Sequence, residues 1–288
     1  ILTSSVINIT LDSVCIFLLH TGVEGAALAT VFSQLIASVI CLRKLFSIPE
    51  IHFSKEEFRS SGRMCIPLVL NGIPMALMNS ITAIGSVVLQ YFVNGFGVAY
   101  TSSYSVSGRY INLFVQPACT AGFAMSAFAS QNYGAKEYER IRRGLWVCMS
   151  IALISYVTLG TVMMVFPRQL ALLMVEGEDA LRLTERYLPI CGFMLFAVDF
   201  LFVYRSGVQG MGHPTVPMIS GILEMVLRVV VVFLLIERYG FNSTAYAQTS
   251  AWLGAFIMNG LAFHYYLHKK LAPPKRDSKG TMSLWSGV

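Results

Sequence analysis

The chain has 288 residues, 55% hydrophobic and only 12% charged, with 21 Lys and Arg against 15 Asp and Glu and a formal net charge of +6. A water-soluble domain carries about 25% charged residues. Half that share, with mean hydropathy +0.63, excludes an ordinary soluble domain and predicts an all-α integral membrane protein whose first partner is the lipid bilayer. The basic residues lie in short segments between apolar runs, so they carry no nucleic-acid signal.

The first apolar run, 1–19, contains Asn8-Ile9-Thr10-Leu11-Asp12. Within a spanning helix a lone carboxylate costs about 2.5–3.5 kcal/mol even on insertion scales. Asp12 therefore either faces a polar cavity or a bound cation, or bonds a neighbouring helix. Asn8, four residues earlier, shares its helix face. Carboxylate and amide oxygens together suit Na⁺ or a relayed proton. A turn at Gly22 leads to the second run, 25–42, which opens Gly25-Ala26-Ala27-Leu28-Ala29-Thr30. Because Ile1 already lies in an apolar run, the chain is expected to lack its true beginning.

The polar segment 46–63 is the one linker signal; within it Ser54 and Glu57 have the spacing of a capping box. The third and fourth runs, 64–93 and 98–129, exceed the ~20 residues a bilayer core requires. They contain Pro67, Pro74 and Pro117, which predict bends. Gln131–Ala135 reads as a helix end with Gly134 in the left-handed cap, followed by a basic surface helix over Glu137–Arg143. The remaining runs are 144–166, 187–206, 215–236 and 244–267, eight in all. Gly207–Pro214 lacks the Lys-Ser/Thr of a phosphate loop and reads as a bent turn. Basic residues concentrate in 43–63, 130–143 and the tail from 269, which places those three segments and the carboxyl terminus in the cytoplasm.

Charged residues inside the later runs are few. Asp199 and Arg205 share the sixth, and Asp199 meets either Arg205 or Arg109 of the fourth. Glu224 and Arg228, four apart in the seventh, form either a neutralised packing pair or a proton-linked site. Tyr104 and its aromatic neighbours, from Tyr91 to Tyr110, offer faces for flat cations or an interfacial belt. The six cysteines are scattered singly without CxxC spacing and read as buried thiols. No His/Cys cluster or catalytic constellation is present, so neither an enzyme nor a resident cofactor is expected.

Two stretches repeat. One register carries Asn8 and Asp12 onto Glu224 and Arg228. Another, two residues longer, carries Gly22, Ala27, Ala29 and Thr30 onto Gly240, Ala245, Ala247 and Gln248. Such a parallel repeat suits a transporter of two like bundles, the first of which would end near residue 45 with four helices missing upstream.

With Gln131-Asn132-Tyr133-Gly134-Ala135, Ile73-Pro74, Gln209-Gly210-Met211-Gly212-His213-Pro214 and Glu224-x-x-x-Arg228, the chain resembles the multidrug and toxic compound extrusion (MATE) transporters. The resemblance implies helices five to twelve of a two-lobed antiporter in the bacterial inner membrane. It would exchange Na⁺ or H⁺ for amphipathic organic cations and be monomeric when full length. Residues 1–45 would close the amino-terminal lobe, 46–63 link the lobes, 64–268 form the six-helix second lobe, and 269–288 be a cytoplasmic tail. Asn8, Asp12 and Thr30 match positions of a cation site in such proteins, with Na⁺ as ligand where Na⁺ is the coupling ion. Asp199, Glu224, Arg228, Arg109, Arg205 and Tyr104 are candidates for substrate or proton contact. Some branches have a carboxylate in the helix matching 64–93, where this chain has none. The alternative is a flippase for a lipid-linked saccharide precursor, which would gather Arg109, Arg205 and Arg228 around one cavity.

Overall fold

The computed structural model describes residues 2–48, 62–175 and 177–271, and every regular element among them is helical. The chain divides into two compact units, Ile1–Ile66 and Pro67–Val288. The Ser54–Glu57 capping box and residues 272–288 of the tail lie outside the described residues.

In the first unit, α1 (Leu2–Ser13) runs into a π-helical turn, Val14–Leu18, whose last residues hand the chain to α2 (Gly22–Phe46). His20 (φ 50°) and Gly22 (φ 60°) reverse its direction. The buried residues of α2 are Gly25, Ala29 and Ser33, one helical turn apart. A side chain at Gly25 would overlap Thr21 and approach Cys15 Cβ to 2.9 Å. Small residues at every fourth position let two helices pack closely where no hydrophobic driving force separates lipid from protein.

In the second unit lies most of α3 (Gly62–Phe96), a single helix that continues through Pro67 and Pro74. Of the three prolines expected to permit bends, Pro67 and Pro74 do not interrupt the helix, whereas Pro117 coincides with a bend. There α4 (Val98–Phe114) and α5 (Gln116–Gly134) meet at 44°, with the proline in the first turn of α5. Proline lacks an N–H to donate, and the start of a helix is where that lack costs least. Next come α6 (Tyr138–Ser155), a π turn at Tyr156–Gly160, α7 (Thr161–Val165) and the short α8 (Pro167–Met174). Then α9 (Glu178–Phe193) and α10 (Leu195–Gly210) form a second bent pair, at 46°. Last are α11 (Thr215–Tyr239) and α12 (Asn242–Leu271).

Helix α10 sits at the centre of this unit, packed against α5, α6 and α12. A Cβ on Gly122 would stand 2.9 Å from the Phe202 carbonyl, so the absence of a side chain sets how closely α5 approaches α10. Two apolar clusters flank α10, one around Tyr187, Leu188 and Leu195 and the other around Met125, Leu145 and Phe263.

Four described helices are long and apolar enough to cross a membrane, and six if each bent pair counts as one span. The first predicted run is a shorter apolar helix, Thr3–Leu18. The last, α12, is long but interleaves Asn, Ser, Thr and Gln among its apolar residues. Two local expectations are corrected. The left-handed residue after α5 is Lys136 (φ 61°), not Gly134. Lys136 N–H donates to Tyr133 O (3.1 Å) and Glu137 N–H to Asn132 O (2.8 Å). This paired closure places the left-handed residue two positions later than the glycine suggested. The basic residues that follow are the first turns of α6 rather than a separate surface helix.

The turn after α10 closes the same way around Gly212 (φ 83°), with His213 N–H on Val208 O at 3.2 Å. The His213 ring stacks on Tyr266, centroids 3.8 Å apart. Burial, then Lys270 and Lys269, push its pKa below the ordinary 6.5. The folded protein thus binds fewer protons than the unfolded chain between that lowered value and 6.5. Stability rises with pH through this window and is lost on acidification. Thermal melts of His213→Phe, which keeps the stack, should show a shallower loss than the parent as the pH falls below the ordinary 6.5.

Candidate functional site

Among the described residues, each unit has a polar cluster at corresponding places in the repeat. In the first unit, Asn8 Nδ2 of α1 donates to Thr30 Oγ1 of α2 at 3.3 Å, and Thr30 Oγ1 donates to Ala26 O at 2.9 Å. Asp12, one turn after Asn8, is half-buried, and its Oδ1 is shielded without a hydrogen-bond partner among the described residues. The helix spacing and the α1–α2 packing thus bring together two of the three predicted residues directly and leave the carboxylate with unused acceptor capacity.

The second unit repeats this helix pair with different chemistry. Gly22 (φ 60°) corresponds to Gly240 (φ 54°), and each stands where one helix gives way to the next. The buried stripe Gly25, Ala29, Ser33 corresponds, in the register of those glycines, to Ser243, Ala247 and Ala251, all buried on α12. The small-residue stripe is a packing feature that both copies keep, a physical basis for the repeat beyond the matched letters.

The positions matching Asn8, Asp12 and Thr30 are Glu224, Arg228 and Gln248, and all three line one cavity of about 370 Å³. The Glu224 carboxylate there receives two guanidiniums. Arg205 of α10 pairs with Oε1, and Arg228 Nη2 lies 3.5 Å from Oε2. Arg228 also donates through Nη1 to Thr82 O of α3 at 3.0 Å. It comes so close to α3 because Gly85 has no side chain; a Cβ there would stand 3.1 Å from Nη1. Glu224 and Arg228 are each 3% exposed and Arg205 8%. At that burial an unpaired charge would be far costlier than a paired one. Asn112, Gln116, Ser86 and Thr82 add neutral polar groups, and Phe202 and Trp252 apolar ones.

The sequence had paired Glu224 with Arg228 along one helix; the link across to Arg205 needed the fold. The cavity's other polar residues were missed. Their signal was present as polar pairs four apart inside apolar runs, Thr82 with Ser86 and Asn112 with Gln116. Asp199 is fully buried on α10 and meets neither Arg205 nor Arg109, since both its oxygens lack a hydrogen-bond partner among the described residues. Arg109 is exposed and outside the cavity. Tyr104 is half-buried, its ring edge-on to Tyr187 at 6.1 Å. Among the described residues no group of three or more His, Cys, Asp or Glu is placed to hold a metal ion.

A family model described as MatE matches residues 74–234, more than half of the chain. Among curated proteins the chain is 28% identical to the probable multidrug resistance protein YpnP of Bacillus subtilis, over 86% of this chain and 53% of that protein. It is 27% identical to the probable multidrug resistance protein YoeA of the same organism, over 68% and 44%. Among solved structures it superposes on a MOP superfamily transporter from Pyrococcus furiosus with TM-score 0.85 at 20% identity, over 94% of this chain and 62% of that one. The chain therefore spans about half the length of the curated relatives it matches.

Proposed function

Since this chain belongs to the MATE family, we propose that it is part of a cation-coupled exporter of amphipathic organic molecules working by alternating access. The observation that carries the reading is the Asn8–Thr30 hydrogen bond, one turn from an Asp12 oxygen without a partner among the described residues. Three oxygen-bearing side chains on two packed helices suit a travelling Na⁺ or proton better than a structural ion pair. The curated relatives bear multidrug resistance names, in keeping with organic substrates.

On this reading eight helical segments span the bilayer, α1 and α12 included, and the basic segments and carboxyl terminus face the cytoplasm of a bacterial inner membrane. Residues 1–45 belong to one lobe, 46–63 link the lobes, 64–268 form a six-helix lobe and 269–288 a tail. The working protein is a monomer without a resident cofactor. Ion binding near Asp12 favours one facing of the lobes and substrate the other, so coupling arises from differential affinity. Asp199, Glu224, Arg228 and Arg205 supply substrate or proton contacts in the second lobe, with Tyr104 an aromatic one. The flippase reading is less favoured, since Arg109 stands apart from the cavity that Arg205 and Arg228 share.

The test is ethidium efflux from proteoliposomes holding the protein expressed from its complete gene, under imposed Na⁺ or proton gradients. Efflux should follow one gradient and collapse with it. Efflux indifferent to both, or none at all, would overturn the proposal.

A further inference from the structure

The cavity of the second unit has a charge that the first unit's cluster does not. Its lining carries two guanidiniums, of Arg205 and Arg228, and one carboxylate, of Glu224. Among the side chains that line it, that is one positive charge more than the ion pairs neutralise; Asp199, buried behind Val198 and Cys119, pairs with neither guanidinium. The corresponding cluster, Asn8, Asp12 and Thr30, carries a single negative charge. The repeat has thus kept the helix pair, the glycine turn and the small-residue stripe while reversing the sign of the polar position: Asp12 corresponds to Arg228.

We propose that this cavity is an anion subsite that takes the carboxylate of an amphiphilic, aromatic molecule. This rests on the export reading only for its role in transport; binding stands on the cavity itself. An uncompensated guanidinium in a low-dielectric lobe attracts a counter-charge, and guanidinium donors match a carboxylate's geometry. The charge count favours a monoanion over a doubly charged phosphate, which would leave a negative charge behind. Gln116, Asn112 and Gln248 offer further donors, and Phe202 and Trp252 offer apolar surface for a ring. A volume of about 370 Å³ lies at the lower end of the range for small-molecule sites, about 300–1,000 Å³, enough for an arylcarboxylate arm rather than a whole drug. The Arg228 head is already fixed by Thr82 O and Glu224, so little ordering is left for a ligand to impose.

The probes are rhodamine B, which has a free carboxylate, and its ethyl ester, which is the same dye without it. Anisotropy titrations use the protein from its complete gene in lipid nanodiscs. Rhodamine B should bind more tightly than the ester by about tenfold or more, the worth of one hydrogen-bonded charge. Arg228→Gln leaves Arg205 and Glu224 as a balanced pair, so it neutralises the cavity without stranding a charge, and it should abolish the preference. Arg228→Lys keeps the charge and should keep most of it. Equal binding of the two dyes to the parent, or an undiminished preference in Arg228→Gln, overturns the proposal. Gradient-driven efflux of the ester without preference for the acid would remove this subsite and leave the export reading standing. A carboxylate preference without any efflux would keep the subsite and remove that reading.

Discussion

Replacing Asp12 with Asn should reduce ion-driven ethidium efflux to background while leaving the amount of folded protein in the membrane unchanged. The two side chains are nearly the same size, so packing between α1 and α2, set by Gly25, Ala29 and Ser33, is not disturbed. What is lost is the negative charge. A neutral amide can still accept one hydrogen bond, but it neither carries a proton nor balances a Na⁺ ion. Asp12 has a shielded oxygen with no partner among the described residues, so its removal strands no other group. If α1 spans the bilayer as proposed, folding should be as good or better, because a carboxylate in a spanning helix costs about 2.5–3.5 kcal/mol. That separates a coupling role from a structural one. A role in holding helices together predicts lower expression and a lower melting temperature; a coupling role predicts neither. Thr30→Ala and Asn8→Ala remove one neutral ligand each and should weaken ion dependence without abolishing it. Unimpaired efflux in the Asp12→Asn variant would end the assignment.

Glu224→Gln should be strongly destabilising, more so than Arg228→Gln. It leaves Arg205 and Arg228 facing one another, both nearly fully buried, without the carboxylate that both share. Removing one partner of a buried ion pair costs about 3–5 kcal/mol, because the remaining charge is stranded. For a chain of this size that lowers the melting temperature by about 10 °C or more. Arg228→Gln should cost less, since Arg205 and Glu224 remain one to one. Replacing all three at once, Arg205→Met with Glu224→Leu and Arg228→Met, should recover much of the lost stability, because an apolar cluster of similar volume needs no compensation. Thermal melts of the parent and these three variants in one detergent check the order. Equal stability of Glu224→Gln and Arg228→Gln would mean that Glu224 does not serve two cations.

Hydrophobic patterning placed most of the helices. Eight apolar runs coincide with helical stretches, because a membrane segment must satisfy its own backbone hydrogen bonds and so forms a helix wherever it is apolar and long enough. Patterning named three prolines as places to bend but did not tell which of them interrupts a helix. Pro67 and Pro74 lie inside an unbroken α3, whereas Pro117 coincides with a 44° break. A proline frees backbone groups in every case, and only its neighbours decide whether they are satisfied without bending. The short α8 also went unseen, being too brief for a clear period.

Composition and periodicity alone show a bundle of membrane helices and point to a repeated helix pair, because charge is expensive in lipid and each Asp, Glu and Arg within an apolar run stands out against its surroundings. They also marked Asn8 and Asp12 as one face, since that depends only on the pitch of a single helix. Which charges meet was decided by tertiary structure alone. Glu224 lies 19 residues from Arg205 on a different helix, and Thr82, Gln116 and Trp252 come from three more stretches of chain to line the same cavity. The distances between helices depend on where Gly85, Gly122 and the buried small residues of α2 and α12 let backbones approach, and no single-helix rule contains that information.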